Sequence, residues 1–139
     1  MTNHQVQFYQ SKLEFEIDAW DLFALLSAGE PVVVVDARSA AAHREEHIPG
    51  ALNVPHRSMT EEAVAGFDRA ALYVTYCDGI GCNGSTKGAL NLARLGLRVK
   101  ELIGGLDWWR RDGYATAGVR GRDGKRVDCG CSPNPLSSG

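Results

Sequence analysis

Tyr73-Val74-Thr75-Tyr76-Cys77-Asp78-Gly79-Ile80-Gly81-Cys82-Asn83-Gly84-Ser85-Thr86 decides how the rest of the chain is read. Its first four residues are aromatic or β-branched, the composition of a strand. Gly79, Gly81 and Gly84 mark a loop, and Ser85 and Thr86 open a helix carrying Ala89, Leu90, Leu92, Ala93 and Leu95 as far as Gly96. Gly88 inside that helix costs about 1 kcal/mol against Ala, which implies a close helix–sheet contact. A cysteine therefore stands where a buried strand gives way to a glycine-rich loop and a helix start. In open α/β sheets this is the end at which sites are built.

Working outward, Val32-Val33-Val34-Val35 is a continuous β-branched run of the kind found in strands buried on both faces, and it delivers Asp36 and Arg38 at its end. Ser39 caps a short helix over 40–46. His47-Ile48-Pro49-Gly50 forces a turn, with His47 fixing it, and 51–54 makes a short strand closed by Pro55. Thr60, Glu61 and Glu62 read as a helix start with 63–67 as its body. Val99 to Ile103 is a further strand, and Gly104-Gly105 separates it from a helix over 106–112. There Trp108 and Trp109 divide between core and site rim. Toward the beginning, Phe15 and Ile17 suggest a short strand, and Asp18 caps a helix over 19–27 with Trp20 and Phe23 as core residues. Alternation of strands and helices predicts an α/β fold with a parallel sheet covered on both faces. Residues 1–12 show no clear period and read as a lead segment; residues 117–139, rich in Gly, Ser, Pro and charge, read as a tail without a core of its own.

The chain has 139 residues, of which 44% are hydrophobic, enough for one domain with a core. A net charge of −2 from 15 basic and 17 acidic residues gives no basis for a nucleic-acid or membrane-surface partner. No apolar run approaches the roughly 20 residues that span a bilayer. Residues 1–10 are polar and lack the apolar region of a secretory signal, so a cytoplasmic protein is expected, with a homodimer compatible with the sequence.

Four pieces of sequence together resemble a single rhodanese (sulfurtransferase) domain over about residues 13–116. They are Asp36-Ala37-Arg38, His47-Ile48-Pro49-Gly50-Ala51, the strand ending in Cys77, and Gly104-Gly105-Leu106 with the two tryptophans. The resemblance implies a five-stranded parallel sheet flanked by helices on both faces and a catalytic cysteine at Cys77. It implies a sulfane-sulfur donor, a Cys77 persulfide, a thiol or cyanide acceptor, and no cofactor. The common family loop is shorter and has an Arg just before its Ser. Here seven residues separate Cys77 from Ser85, Gly84 takes the place of the Arg, and Asp78 is the charged loop residue.

A free thiol titrates near about 8.5, so a cysteine nucleophile needs a positive potential. Asp78, Gly79, Ile80, Gly81, Cys82, Asn83, Gly84, Ser85 and Thr86 form the expected substrate loop. Positive φ at Gly79, Gly81 and Gly84 would turn N–H groups inward, the helix start would add its dipole, and Ser85 or Thr86 would cap it. The bland alternative for Cys77 is a buried inert thiol. Cys82 reads as a resolving thiol forming a Cys77–Cys82 disulfide, as a bystander, or as the nucleophile itself. Cys129 and Cys131 read as tail thiols, a persulfide relay or, with the loop pair, zinc ligands; no metal is expected. Asp36 and Arg38 read as loop-positioning or substrate groups, or as a structural ion pair. Besides sulfur transfer, two other functions fit: thiol redox sensing through Cys77 and Cys82, and a non-catalytic binding or sulfur-carrier module.

Overall fold

The computed structural model describes residues 3–127. Five parallel strands form one sheet: β1 (Glu16–Ile17), β2 (Val32–Asp36), β3 (Leu52–Asn53), β4 (Leu72–Tyr76) and β5 (Arg98–Leu102), in the order β1-β5-β4-β2-β3. The helices are α1 (His4–Phe15), α2 (Ala19–Ser27), α3 (Ala40–Glu45), α4 (Gly84–Arg94) and α5 (Gly105–Arg111). Strand alternation divides the core in two. Val34, Val74 and Tyr76 face α2 and α5 with Leu22, Phe23, Leu106 and Trp109. Val35 and Tyr73 face the other way, with Leu92 of α4, Met59 and Val64. The valine run is thus covered on both sides, as its unbroken apolar character requires.

Local chemistry sets the helix ends. Asp18 caps α2 through the Asp21 N–H, and Ser39 caps α3 through the Ala42 N–H. Gly88 is where α4 lies close to the sheet: a Cβ there would stand 3.1 Å from both Ala37 Cβ and Met59 Cε.

Three expectations are corrected. The lead segment is helical: Asn3 accepts from the Gln5 and Val6 N–H groups and starts α1. No residue of α1 is buried, so there is no core-facing stripe for a period to report. Trp20 is 67% exposed, on the outer side of α2, while Phe23 takes the core position. Residues 61–66 form turns instead of a helix, although Thr60 does cap the Ala63 N–H. Val64 alone of this stretch is buried, and its packing in the core with Val35 and Leu92 is met by a turn. Among the described tail residues, Ala117 pairs with His47 and Lys125 with Tyr114. Cys129 and Cys131 lie outside the described residues. No helix among the described residues is long and apolar enough to cross a membrane.

Candidate active site

The site gathers at the C-terminal ends of β2 and β4, where Asp36 and Tyr76 are register partners. Asp36 is fully buried. Its carboxylate accepts from the Tyr76 hydroxyl at 2.8 Å, from Arg38 Nε at 2.9 Å and from Arg38 Nη2 at 2.7 Å. The Tyr76 oxygen in turn accepts the Ile48 N–H at 3.1 Å. Burial, with the adjacent Asp36 charge, pushes the Tyr76 phenol well above its ordinary range. Burial works against the Arg38 charge, but the hydrogen bonds to Asp36 and Asp78 outweigh it and hold the guanidinium protonated. The other arm of Arg38 reaches Asp78 at 2.9 Å, and Nη2 also donates to the Glu46 carbonyl.

Arg38 therefore ties the first loop residue after Cys77 to the buried carboxylate. This joins two readings of the Asp36–Arg38 pair: it is a structural ion pair, and it positions the loop. The loop itself holds no basic residue between Cys77 and Ser85, and Arg38 is the guanidinium that reaches it. The charge of Arg38 is met by Asp36 and Asp78, so it is not free for an incoming anion. Arg110 and Arg111 are likewise paired, with Glu46 at 2.6 Å and Asp107 at 3.0 Å.

The loop is seated on α5. The Leu106 N–H donates to the Cys77 carbonyl at 3.0 Å, and the Asp107 N–H to the Asp78 carbonyl at 2.8 Å. Gly105 has φ +56°, and a Cβ there would overlap the Cys77 carbonyl oxygen and stand 2.9 Å from Gly79 N. The glycine pair that breaks the chain after β5 is thus what lets the cysteine loop lie down.

Cys77 and Cys82 are joined as a disulfide, with Cα atoms 6.2 Å apart. Within the loop, Gly81 alone has the positive φ expected of three glycines. Gly79 and Gly84 are instead places of close approach. A Cβ on Gly84 would stand 3.1 Å from Cys77 Sγ and 3.6 Å from Cys82 Sγ; one on Gly79 would stand 3.1 Å from Asp107 Cβ. The missing side chain at 84 lets both sulfurs lie against the first turn of α4. The N-cap Asn83 makes no side-chain cap hydrogen bond, so that turn keeps N–H groups the cap does not use. Ser85 and Thr86 do not cap it either; both hydroxyls donate to Glu101 Oε2, at 2.7 and 2.6 Å.

A cleft of about 370 Å³ opens beside the loop, lined among others by Ile80, Cys82, Ser85, Thr86, Glu16 and Glu101. Cys82 is partly exposed there, while Cys77 is only 5% exposed. Glu16 and Glu101 are the charged side chains among the described residues lining it, brought side by side by β1–β5 pairing. Sequence reasoning missed both. Each falls in an expected strand, but only the pairing of the first and last strands unites them. Ile80 and Asn83 are exposed on the loop. Trp109 is buried and Trp108 half-exposed beside Gly104, as the split between core and rim requires. His47 Nδ1 donates to the His43 carbonyl, while His43 Nε2 donates to the Ala51 carbonyl and so is the histidine that braces the Pro49-Gly50 turn. Among the described residues, no group of three or more His, Cys, Asp or Glu side chains is arranged to hold a metal ion.

Comparison with solved structures places this architecture. The chain is similar to the BH2092 protein from Bacillus halodurans, at 40% identity and a TM-score of 0.81 over 86% of this chain and 88% of that one. A protein from Lactobacillus plantarum matches at 25% identity and 0.68, over 81% and 95%. A rhodanese-related protein from Thermoplasma volcanium matches at 25% identity and 0.64, over 74% and 97%. Among curated proteins nothing matches. The family model of the Rhodanese-like domain matches residues 19–112, which takes in β2, the cysteine loop and α5. The chain belongs to the rhodanese-like domain family.

Proposed function

We propose that the protein is a sulfurtransferase in which Cys77 carries a sulfane sulfur as a persulfide. The observation behind this is the seat of its sulfur: at the end of β4, against the first turn of α4, where Gly84 has no Cβ to intrude and the N-cap side chain leaves N–H groups unused. Such a turn favours a thiolate or a terminal persulfide sulfur over a neutral thiol. In the reduced chain, Cys77 thiolate attacks the outer sulfur of a donor. It forms Cys77–S–SH, and the donor leaves as a thiolate. An acceptor thiol or cyanide then takes that outer sulfur. Of the two cleft carboxylates, Glu16 is paired with Lys12 at 2.7 Å, but Glu101 is held by the hydroxyls of Ser85 and Thr86 and keeps its charge. Arg38 is already paired, which with Glu101 supports an organic persulfide as donor ahead of the dianion thiosulfate. A cytoplasmic setting, with its reducing thiol pool, fits a site that works from free cysteines.

Cyanide trapping tests the reading. Reduced protein given an organic persulfide and cyanide should form thiocyanate catalytically, and Cys77→Ala should not. Equal turnover in Cys77→Ala would exclude Cys77 as carrier.

The disulfide itself favours a second reading, a thiol redox pair that senses oxidants. That role predicts disulfide formation by peroxide at rates well above those of ordinary thiols, with no sulfur uptake by Cys82→Ser.

A further inference from the structure

We infer that Cys82 is the resolving thiol of a sulfane-sulfur reduction. The loop discharges the Cys77 persulfide as hydrosulfide and is then reopened by an external thiol entering the cleft at Cys82. This rests on Cys77 being the sulfur carrier and adds a second outcome for the sulfur it carries.

Three observations carry it. First, the two sulfurs are within bonding reach in the folded chain across a separation of five residues, with Gly84 contacting both. A thiol tethered by so short a loop competes at an effective concentration of about the millimolar range or above. Second, the two sulfurs differ in access: Cys77 is 5% exposed, whereas Cys82 is partly exposed and lines the cleft. Third, Cys77 stays against the first turn of α4, where a departing thiolate is stabilised.

Cys82 thiolate attacks Cys77 Sγ of Cys77–S–SH; the Cys77–Cys82 bond forms, the bond to the outer sulfur breaks, and HS⁻ leaves with the electron pair. An external thiolate then attacks Cys82 Sγ, the sulfur that faces the cleft, and Cys77 departs as thiolate. A second external thiol displaces Cys82 from the mixed disulfide. In sum, one persulfide and two thiols give one thiol, one sulfide and one external disulfide. The reductant is a small thiol or a protein dithiol, and sulfane sulfur is what it reduces. Thiol–disulfide exchange favours attack at the accessible sulfur, which here is Cys82 in the cleft, and the departing Cys77 is the sulfur nearer Gly84 in the first turn of α4.

The test is a single turnover of the full chain. The protein is reduced, freed of reductant and given one equivalent of a small organic persulfide; sulfide is measured by trapping and cysteine states by peptide mass. Wild type should release sulfide and end as the Cys77–Cys82 disulfide. Cys82→Ser and Cys82→Ala should hold the added sulfur on Cys77 and release sulfide at least about tenfold more slowly, the loss expected when a tethered thiol is removed. The Cys129→Ser/Cys131→Ser chain should behave as wild type. Wild type that keeps the sulfur on Cys77, a Cys82 variant that releases sulfide as fast as wild type, or dependence on Cys129 or Cys131 would overturn the inference while leaving Cys77 as carrier. Failure of both Cys82 variants to take up sulfur would overturn the carrier reading as well.

Discussion

Replacing Arg38 with Met removes a guanidinium that makes three side-chain hydrogen bonds to carboxylates and one to the Glu46 carbonyl. The two carboxylates differ in exposure. Asp36 is fully buried, and after the substitution it keeps the Tyr76 hydroxyl and the residue 38 N–H, but no cation. Orphaning a buried partner in this way costs about 3–5 kcal/mol. Asp78 is 74% exposed, so its arm of the interaction contributes at most about 1 kcal/mol. Arg38→Met should therefore lower the unfolding free energy by about 3–5 kcal/mol, and Asp78→Asn by less than about 1. At about 4 °C per kcal/mol for a chain of this size, the first variant melts roughly 10–20 °C lower. Urea unfolding followed by circular dichroism reads both. Asp36→Asn added to Arg38→Met should recover part of the loss, because the uncompensated charge is gone. A loss below about 1 kcal/mol in Arg38→Met, or no recovery in the double variant, would refute the view that a buried charge pair anchors the loop.

Three further outcomes are expected. The Tyr76 phenol is raised by burial and by Asp36, so the fold favours its neutral form: that stabilisation is complete below the unfolded value of about 10 and is lost as pH rises above it. Urea midpoints of wild type should fall above about pH 10 more steeply than those of Tyr76→Phe, with a remaining slope from Tyr73 and Tyr114, which are also raised. Gly84→Ala places a methyl 3.1 Å from Cys77 Sγ; crowding of about 1 kcal/mol should make the disulfide about fivefold easier to reduce in a thiol-exchange titration. Gly105→Ala combines a left-handed φ with overlap on the Cys77 carbonyl, and should cost about 2 kcal/mol or more in thermal unfolding while loosening the loop.

The elements legible in the sequence are those whose local chemistry agrees with their burial. The valine run, the Asp18 and Ser39 caps and the glycine at 88 each carry a signal that packing then confirms. Helix α1 was illegible because it buries nothing, and Trp20 misled because a large aromatic near a capped helix start looks like core. At the site, the strand-end position and the family resemblance marked Cys77, and the loop position marked Cys82. What chain position could not show is that residues 38 and 78, forty positions apart, share an ion pair, or that Glu16 and Glu101 meet across β1 and β5. Glycine roles were equally hidden: a sequence reports that a side chain is missing, whereas only the folded loop shows that Gly84 makes room for two sulfurs while Gly81 supplies the turn.

Peptide mass mapping of the reduced Cys82→Ser chain after exposure to an organic persulfide tests Cys77 as sulfur carrier most directly. The expected result is one added sulfur atom on the peptide containing Cys77, removed by cyanide as thiocyanate. Sulfur found on another cysteine, or taken up from no donor, would contradict it.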